Sequence, residues 1–119
     1  MAGVRARAVL EHAIYGPDLD ALERFYTDVF GLTVLLRADR RLTALRCGNS
    51  TLLLFDPDVT RETGAIPEHG CTGAGHIAFV MEEDEAPAWR QQLARHGVDI
   101  EREIAWPEGG ASIYVRDPA

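Results

Sequence analysis

Apolar residues in this chain switch between two spacings, alternate positions and every third or fourth position, and the switches mark out its elements. Val9 to Tyr15 is strand-like and is stopped by Gly16-Pro17. A helix then opens at Asp18-Leu19-Asp20. Asp20 followed by Glu23 has capping-box spacing, and Leu22, Phe25 and Val29, with Tyr26 alongside, form one apolar stripe. Gly31 is placed to end that helix in the left-handed conformation. Leu32–Leu36 reads as a strand, Asp39-Arg40-Arg41 as a charged turn, and Leu42–Cys47 with Thr51–Phe55 as a hairpin about Gly48-Asn49-Ser50. The first half is therefore β-α-β-β-β.

The pattern then restarts. Gly75–Val80 follows a glycine-rich turn and predicts a strand, with His76, Ala78 and Val80 on one face and Ile77 and Phe79 on the other. The acidic run Glu82–Glu85 leads into a helix over about Ala86–His96, with Pro87 in its first turn, Trp89 and Leu93 facing inward and Gly97 as its stop. Val98–Ile104 and Ala111–Val115 are the next strands. The second half repeats the first but falls one strand short of it. His12 and His76 hold corresponding places, each in an apolar run that reaches an aromatic residue three positions later. The chain thus divides into a module over about 8–56, a connector over 57–74 and a module over about 75–119. The 119 residues form a single domain of two half-modules, and the fold class is α+β. A connector of that length inside a compact domain links modules or drapes over a site.

Composition narrows the function. A hydrophobic content of 46% and a charged content of 26% are those of an ordinary globular protein. No stretch approaches the roughly 20 apolar residues of a membrane span. The N-terminal residues lack the apolar core of a signal peptide, so a cytoplasmic location is expected. A net charge of -7 argues against nucleic acid as a partner. All 12 basic residues are arginine, which excludes chemistry through a Schiff-base lysine. Cys47 and Cys71 read as free thiols.

Three stretches carry a family resemblance: Asp18-Leu19 through Phe25-Tyr26-Thr27-Asp28-Val29-Phe30-Gly31-Leu32, Gly75-His76-Ile77-Ala78-Phe79, and Gly109-Gly110-Ala111-Ser112-Ile113-Tyr114-Val115-Arg116-Asp117-Pro118. In this order they resemble the vicinal oxygen chelate superfamily, the glyoxalase, bleomycin-resistance and dioxygenase group. The resemblance implies paired β-α-β-β-β modules, a small-molecule substrate, a homodimer and a divalent metal ion (Fe, Mn, Ni, Co or Zn). It carries the metal-ligand positions over to His12 and His76. Two imidazoles and a carboxylate leave open positions on such a metal, where a substrate with adjacent oxygens can chelate.

The strand Thr51–Phe55 holds no carboxylate until Asp56, which weighs against glyoxalase I itself. The resemblance instead places the third ligand on a final strand, beyond Ala119. The leading reading is therefore a metal-dependent enzyme of extradiol dioxygenase or lyase/isomerase type. The alternative is a metal-free protein that sequesters a drug or metabolite. Trp106 and Tyr114 are candidate pocket walls. His69 and Cys71 read as parts of a solvated loop, and Arg46 and Arg116 as exposed strand residues.

Overall fold

The computed structural model describes residues 3–38, 40–61 and 67–119. In the first half, β1 (Glu11–Tyr15), β2 (Thr33–Ala38), β3 (Leu42–Cys47) and β4 (Ser50–Phe55) form one sheet in the order β1-β4-β3-β2. β4 runs parallel to β1 and antiparallel to β3, while β3 also pairs antiparallel with β2. Across this sheet lies α1 (Leu19–Arg24), which continues as a π-helical turn over Phe25–Val29. A short α2 (Pro57–Thr60) follows β4. In the second half, α3 (Ala86–Arg95) follows a 3₁₀ turn at Glu83–Glu85, and β5 (Ile100–Ala105) pairs antiparallel with β6 (Ala111–Val115). The fold is α+β, as expected.

The local chemistry explains most boundaries. Asp18 accepts the Ala21 amide and caps α1, so the capping residue is Asp18 and the expected Asp20–Glu23 box does not form. The box occurs instead before α3, between Glu82 and Glu85. Glu23 is free for another partner, and Arg37 on β2 donates to both its oxygens at 2.7 and 2.8 Å. Gly31 ends the helix at φ 71°. Gly16 is needed for space, since a Cβ there would stand 2.7 Å from Leu22 Cδ1.

The core lies between α1 and the four-stranded sheet. Leu22 and Tyr26 from the helical side meet Leu45, Leu52 and Leu54 from the sheet, all at most 2% exposed. The register sets which side chains reach it. His12 stands opposite Leu52 and Ile14 opposite Leu54, so His12 and Ile14 share the helix-facing side of the sheet. Glu11, Ala13 and Tyr15 take the other side.

One expectation changes. Gly75–Val80 is not a strand, because among the described residues nothing forms a ladder with it. Its faces are nonetheless sorted as the alternation predicts: Ile77 and Phe79 pack on the core, and His76, Ala78 and Val80 are exposed. The two halves meet through Phe30, which stacks on Phe79 at 4.8 Å and lies 5.5 Å from Trp89. Tyr26 donates to Asp117 Oδ2 at 2.5 Å, and Gln92 Nε2 donates to the Val29 carbonyl. The expected turn at Asp39-Arg40-Arg41 and the connector 57–74 are only partly covered, since Asp39 and residues 62–66 lie outside the described residues.

Candidate functional site

β1, the Gly75–Val80 run, β6 and the two helical layers enclose a cavity of about 610 Å³. His12 and His76 both line it, so the structure brings the two repeat-related histidines to one concavity. Tyr114 lines it as well. Trp106 is absent from the lining; it is 46% exposed, and its indole donates to Ser112 Oγ at 2.9 Å on the β5–β6 hairpin. Much of the remaining wall is aromatic or aliphatic, including Phe25, Phe30 and Leu93. Such a pocket, apolar with a few polar groups at its edge, suits a small organic ligand.

The face of each donor matters for what the cavity can hold. β1 offers two successive groups able to bind a cation, Glu11 and His12, and the pleat points them to opposite sides. His12 is on the side of Leu52 and Leu54; Glu11 is on the side away from the helices. His76 also points away from the helices, since its neighbours Ile77 and Phe79 take the core side. By this criterion Glu11, more than His12, matches His76. Among the described residues no three His, Cys, Asp or Glu side chains converge on a point that could hold a metal.

A second cluster adjoins the cavity and departs from the sequence expectation. His69 is half-buried and no solvated loop residue: its Nδ1 is hydrogen-bonded to the Tyr15 hydroxyl at 2.6 Å, and its ring meets Phe55 edge-on at 4.7 Å. Tyr15 in turn stacks on Phe55. Burial pushes the Tyr15 phenol above its ordinary pKa, with a smaller electrostatic effect from the neighbouring Cys71 side chain. Alternation along β1 put Tyr15 on a defined face, but nothing local in the sequence paired it with His69. Cys71 is exposed and, with Cys47, unbridged. Arg116 pairs with Glu101 at 3.1 Å on the surface.

Comparison with known proteins fits this geometry to a family. Residues 9–119 match the model of the Glyoxalase/Bleomycin resistance protein/Dioxygenase superfamily. The chain belongs to that superfamily. A crystal structure of lactoylglutathione lyase from Agrobacterium tumefaciens superposes with a TM-score of 0.91 at 40% identity, covering 97% of this chain and 89% of that one. A glyoxalase/bleomycin resistance protein/dioxygenase from Nocardioides matches at 21% identity and TM-score 0.76, over 98% and 80% of the two chains. A fosfomycin resistance protein from Listeria monocytogenes does so at 17% and 0.71, over 96% and 87%. These last two share the superfamily's fold. No curated protein sequence matches the chain significantly. No helix among the described residues is long and apolar enough to cross a membrane.

Proposed function

We propose that this superfamily member is a metal-dependent enzyme acting on a small substrate with adjacent oxygens, of lyase or isomerase type. The observation that carries the reading is the 40% identity to a structure named lactoylglutathione lyase, maintained over 97% of the chain. The lining of the cavity agrees, with apolar walls and His76 at its edge. β4 lacks a carboxylate, and Asp56 caps α2 by accepting the Asp58 amide, so this strand offers no ligand. His76 is then the ligand from the second half. The first-half ligand is one of two neighbours: the repeated histidines nominate His12, whereas the face register favours Glu11. A third donor comes from outside the described residues of one chain. A divalent metal bound there would supply Lewis-acid stabilisation of developing oxyanion charge. The homodimer and the cytoplasmic location belong to the same reading.

The test is turnover. Protein loaded in turn with Fe, Mn, Co, Ni or Zn is given the hemithioacetal of glutathione and a 2-oxoaldehyde, a racemisable 2-substituted acyl thioester, and a catechol with oxygen. The lyase/isomerase reading expects metal-dependent conversion of one of the first two. Ring cleavage of the catechol would replace it with the dioxygenase branch. No conversion, together with tight binding of an organic ligand by metal-free protein, would establish the sequestering protein.

A further inference from the structure

The cavity wall at the end of β1 is organised by the Tyr15–His69 hydrogen bond, and both of its partners are held in place. Tyr15 is the last residue of β1, pairs with Phe55 of β4 and stacks on its ring at 5.6 Å. Phe55 is buried and also meets the His69 ring edge-on, so one aromatic side chain supports both partners. The His69 backbone is tied to α2, where its amide donates to the Thr60 carbonyl at 3.1 Å. Thr60 is fully buried, and its hydroxyl donates to the Asp56 carbonyl at 3.3 Å. This wall comes wholly from β1, β4, α2 and the connector.

The Tyr15 hydroxyl keeps a bonding function for a ligand. If His69 Nδ1 carries the proton, it donates to the Tyr15 oxygen and leaves the O–H for the cavity. If Nδ1 is bare, it takes the O–H, and the Tyr15 oxygen keeps its lone pairs for the cavity. Burial raises the pKa of the phenol, so it stays neutral. Among the lining residues described, Arg116 is the one arginine, and it pairs with Glu101 rather than waiting for an anion. A carboxamide or hydroxyl, which both donates and accepts, suits either state of the pair.

The spacing along β1 separates this group from the metal chemistry. Tyr15 is four residues from Glu11, on the same face, and three from His12, which is roughly 10 to 13 Å of strand. An oxygen held on a metal at either neighbour is out of its reach. Between them on the Glu11 face lies Ala13, opposite Leu53, both half-buried, a short apolar floor.

We propose that Tyr15, positioned by His69, is a specificity subsite for an uncharged amide or hydroxyl group of the substrate. An apolar segment joins that group to the vicinal oxygens, with roughly 10 Å between the two ends. The substrate is thus elongated, and Tyr15 selects it without taking part in the reaction. The inference rests on the metal-dependent reading above.

The test uses hydroxamates, which chelate a divalent metal through two adjacent oxygens. Acetohydroxamate is the short probe. Linear hydroxamates of about two to ten methylenes, ending in a carboxamide or in an isopropyl group of the same shape, are the long ones; at about 1.2 Å per extended bond, six to eight methylenes span the gap. Their affinities are measured on the full chain loaded with Ni or Zn. At the spanning length the carboxamide is expected to bind about tenfold more tightly than the isopropyl probe, with no preference at two methylenes. Tyr15→Phe, which keeps the ring on Phe55, should bring that ratio to about one, and His69→Ala should lower it about threefold. Each ratio is taken within one variant, so any change in metal affinity cancels. If acetohydroxamate does not bind the loaded native chain, the metal-dependent reading falls and this inference with it. If acetohydroxamate binds, but the carboxamide preference is absent at every length or survives Tyr15→Phe, the inference alone is overturned. An unchanged ratio in His69→Ala would overturn the positioning role.

Discussion

The two halves start from nearly the same pattern and end in different states. The first packs a helix on four strands and buries Leu22, Tyr26, Leu45, Leu52 and Leu54 almost completely. The second packs a helix against two strands and an unpaired run, and Leu93 is its one buried hydrophobic residue among those described. Helix, hairpin and turn chemistry are comparable in both. What separates them is one strand. A sheet and helix bury their apolar faces most fully when an interior strand such as β4 is present, because it pairs with a neighbour on each side and sends Leu52 and Leu54 to the helix. Local propensity makes the pieces of a module, and the middle strand makes its core.

The largest expected effect comes from testing that contrast directly. Leu54→Ala removes a fully buried side chain and should cost about 3 kcal/mol in urea unfolding. Ile113→Ala, on the half-buried β6, should cost about 1 kcal/mol or less. Equal losses would mean that the second half is as well packed as the first.

Next is the tie between the halves. Tyr26→Phe keeps the buried ring and removes the hydrogen bond to Asp117, for an expected loss of about 1–2 kcal/mol. Burial first, and then the bond to Asp117, hold the Tyr26 phenol far above its ordinary range. The folded state therefore keeps a proton that the unfolded chain loses. This contribution is whole below about pH 10, the unfolded phenol's value, and declines as pH rises beyond it. Alkaline titration of unfolding should show a shallower decline for Tyr26→Phe than for the native chain. Loss of the Asp18 cap through Asp18→Ala should lower stability by about 1 kcal/mol, read as a drop in Tm.

The smallest effect is at Glu23, whose carboxyl is held below its usual pKa chiefly by the hydrogen bonds from Arg37. Its contribution is present above the ordinary carboxylate value and lost as pH falls through the folded one. Glu23→Gln should slightly flatten the acid side of the stability curve. The salt-screened, largely exposed Arg37 limits the size of the change.

Much of this architecture was legible before any coordinates. The β3 and β6 boundaries and the Gly31 stop follow from periodicity and turn chemistry. Of the expected Leu22, Phe25 and Val29 stripe, Leu22 and Val29 are buried, but the third buried place goes to Tyr26, with Phe25 only half-buried, where the helix widens into a π turn. The cap moved from Asp20 to Asp18 because either aspartate can precede the first helical turn, and only backbone geometry separates them. The Gly75–Val80 run has every local mark of a strand, yet a strand also needs a neighbour, which no local pattern supplies. At the candidate site, the repeated histidines drew attention to His12 and His76. Glu11 lacks a counterpart in the second half and came into view only through the register of β1 against β4. His69 was hidden for a similar reason, since its partner Tyr15 is remote in sequence.

Metal content resolves the reading of that site most directly. Native protein, His76→Ala, Glu11→Gln and His12→Ala would each be purified without added metal, reloaded and analysed for Fe, Mn, Co, Ni and Zn. The face register predicts near-stoichiometric metal in the native chain, its loss in His76→Ala and Glu11→Gln, and its retention in His12→Ala. Loss in His12→Ala with retention in Glu11→Gln, or no metal uptake by the native chain, would contradict it.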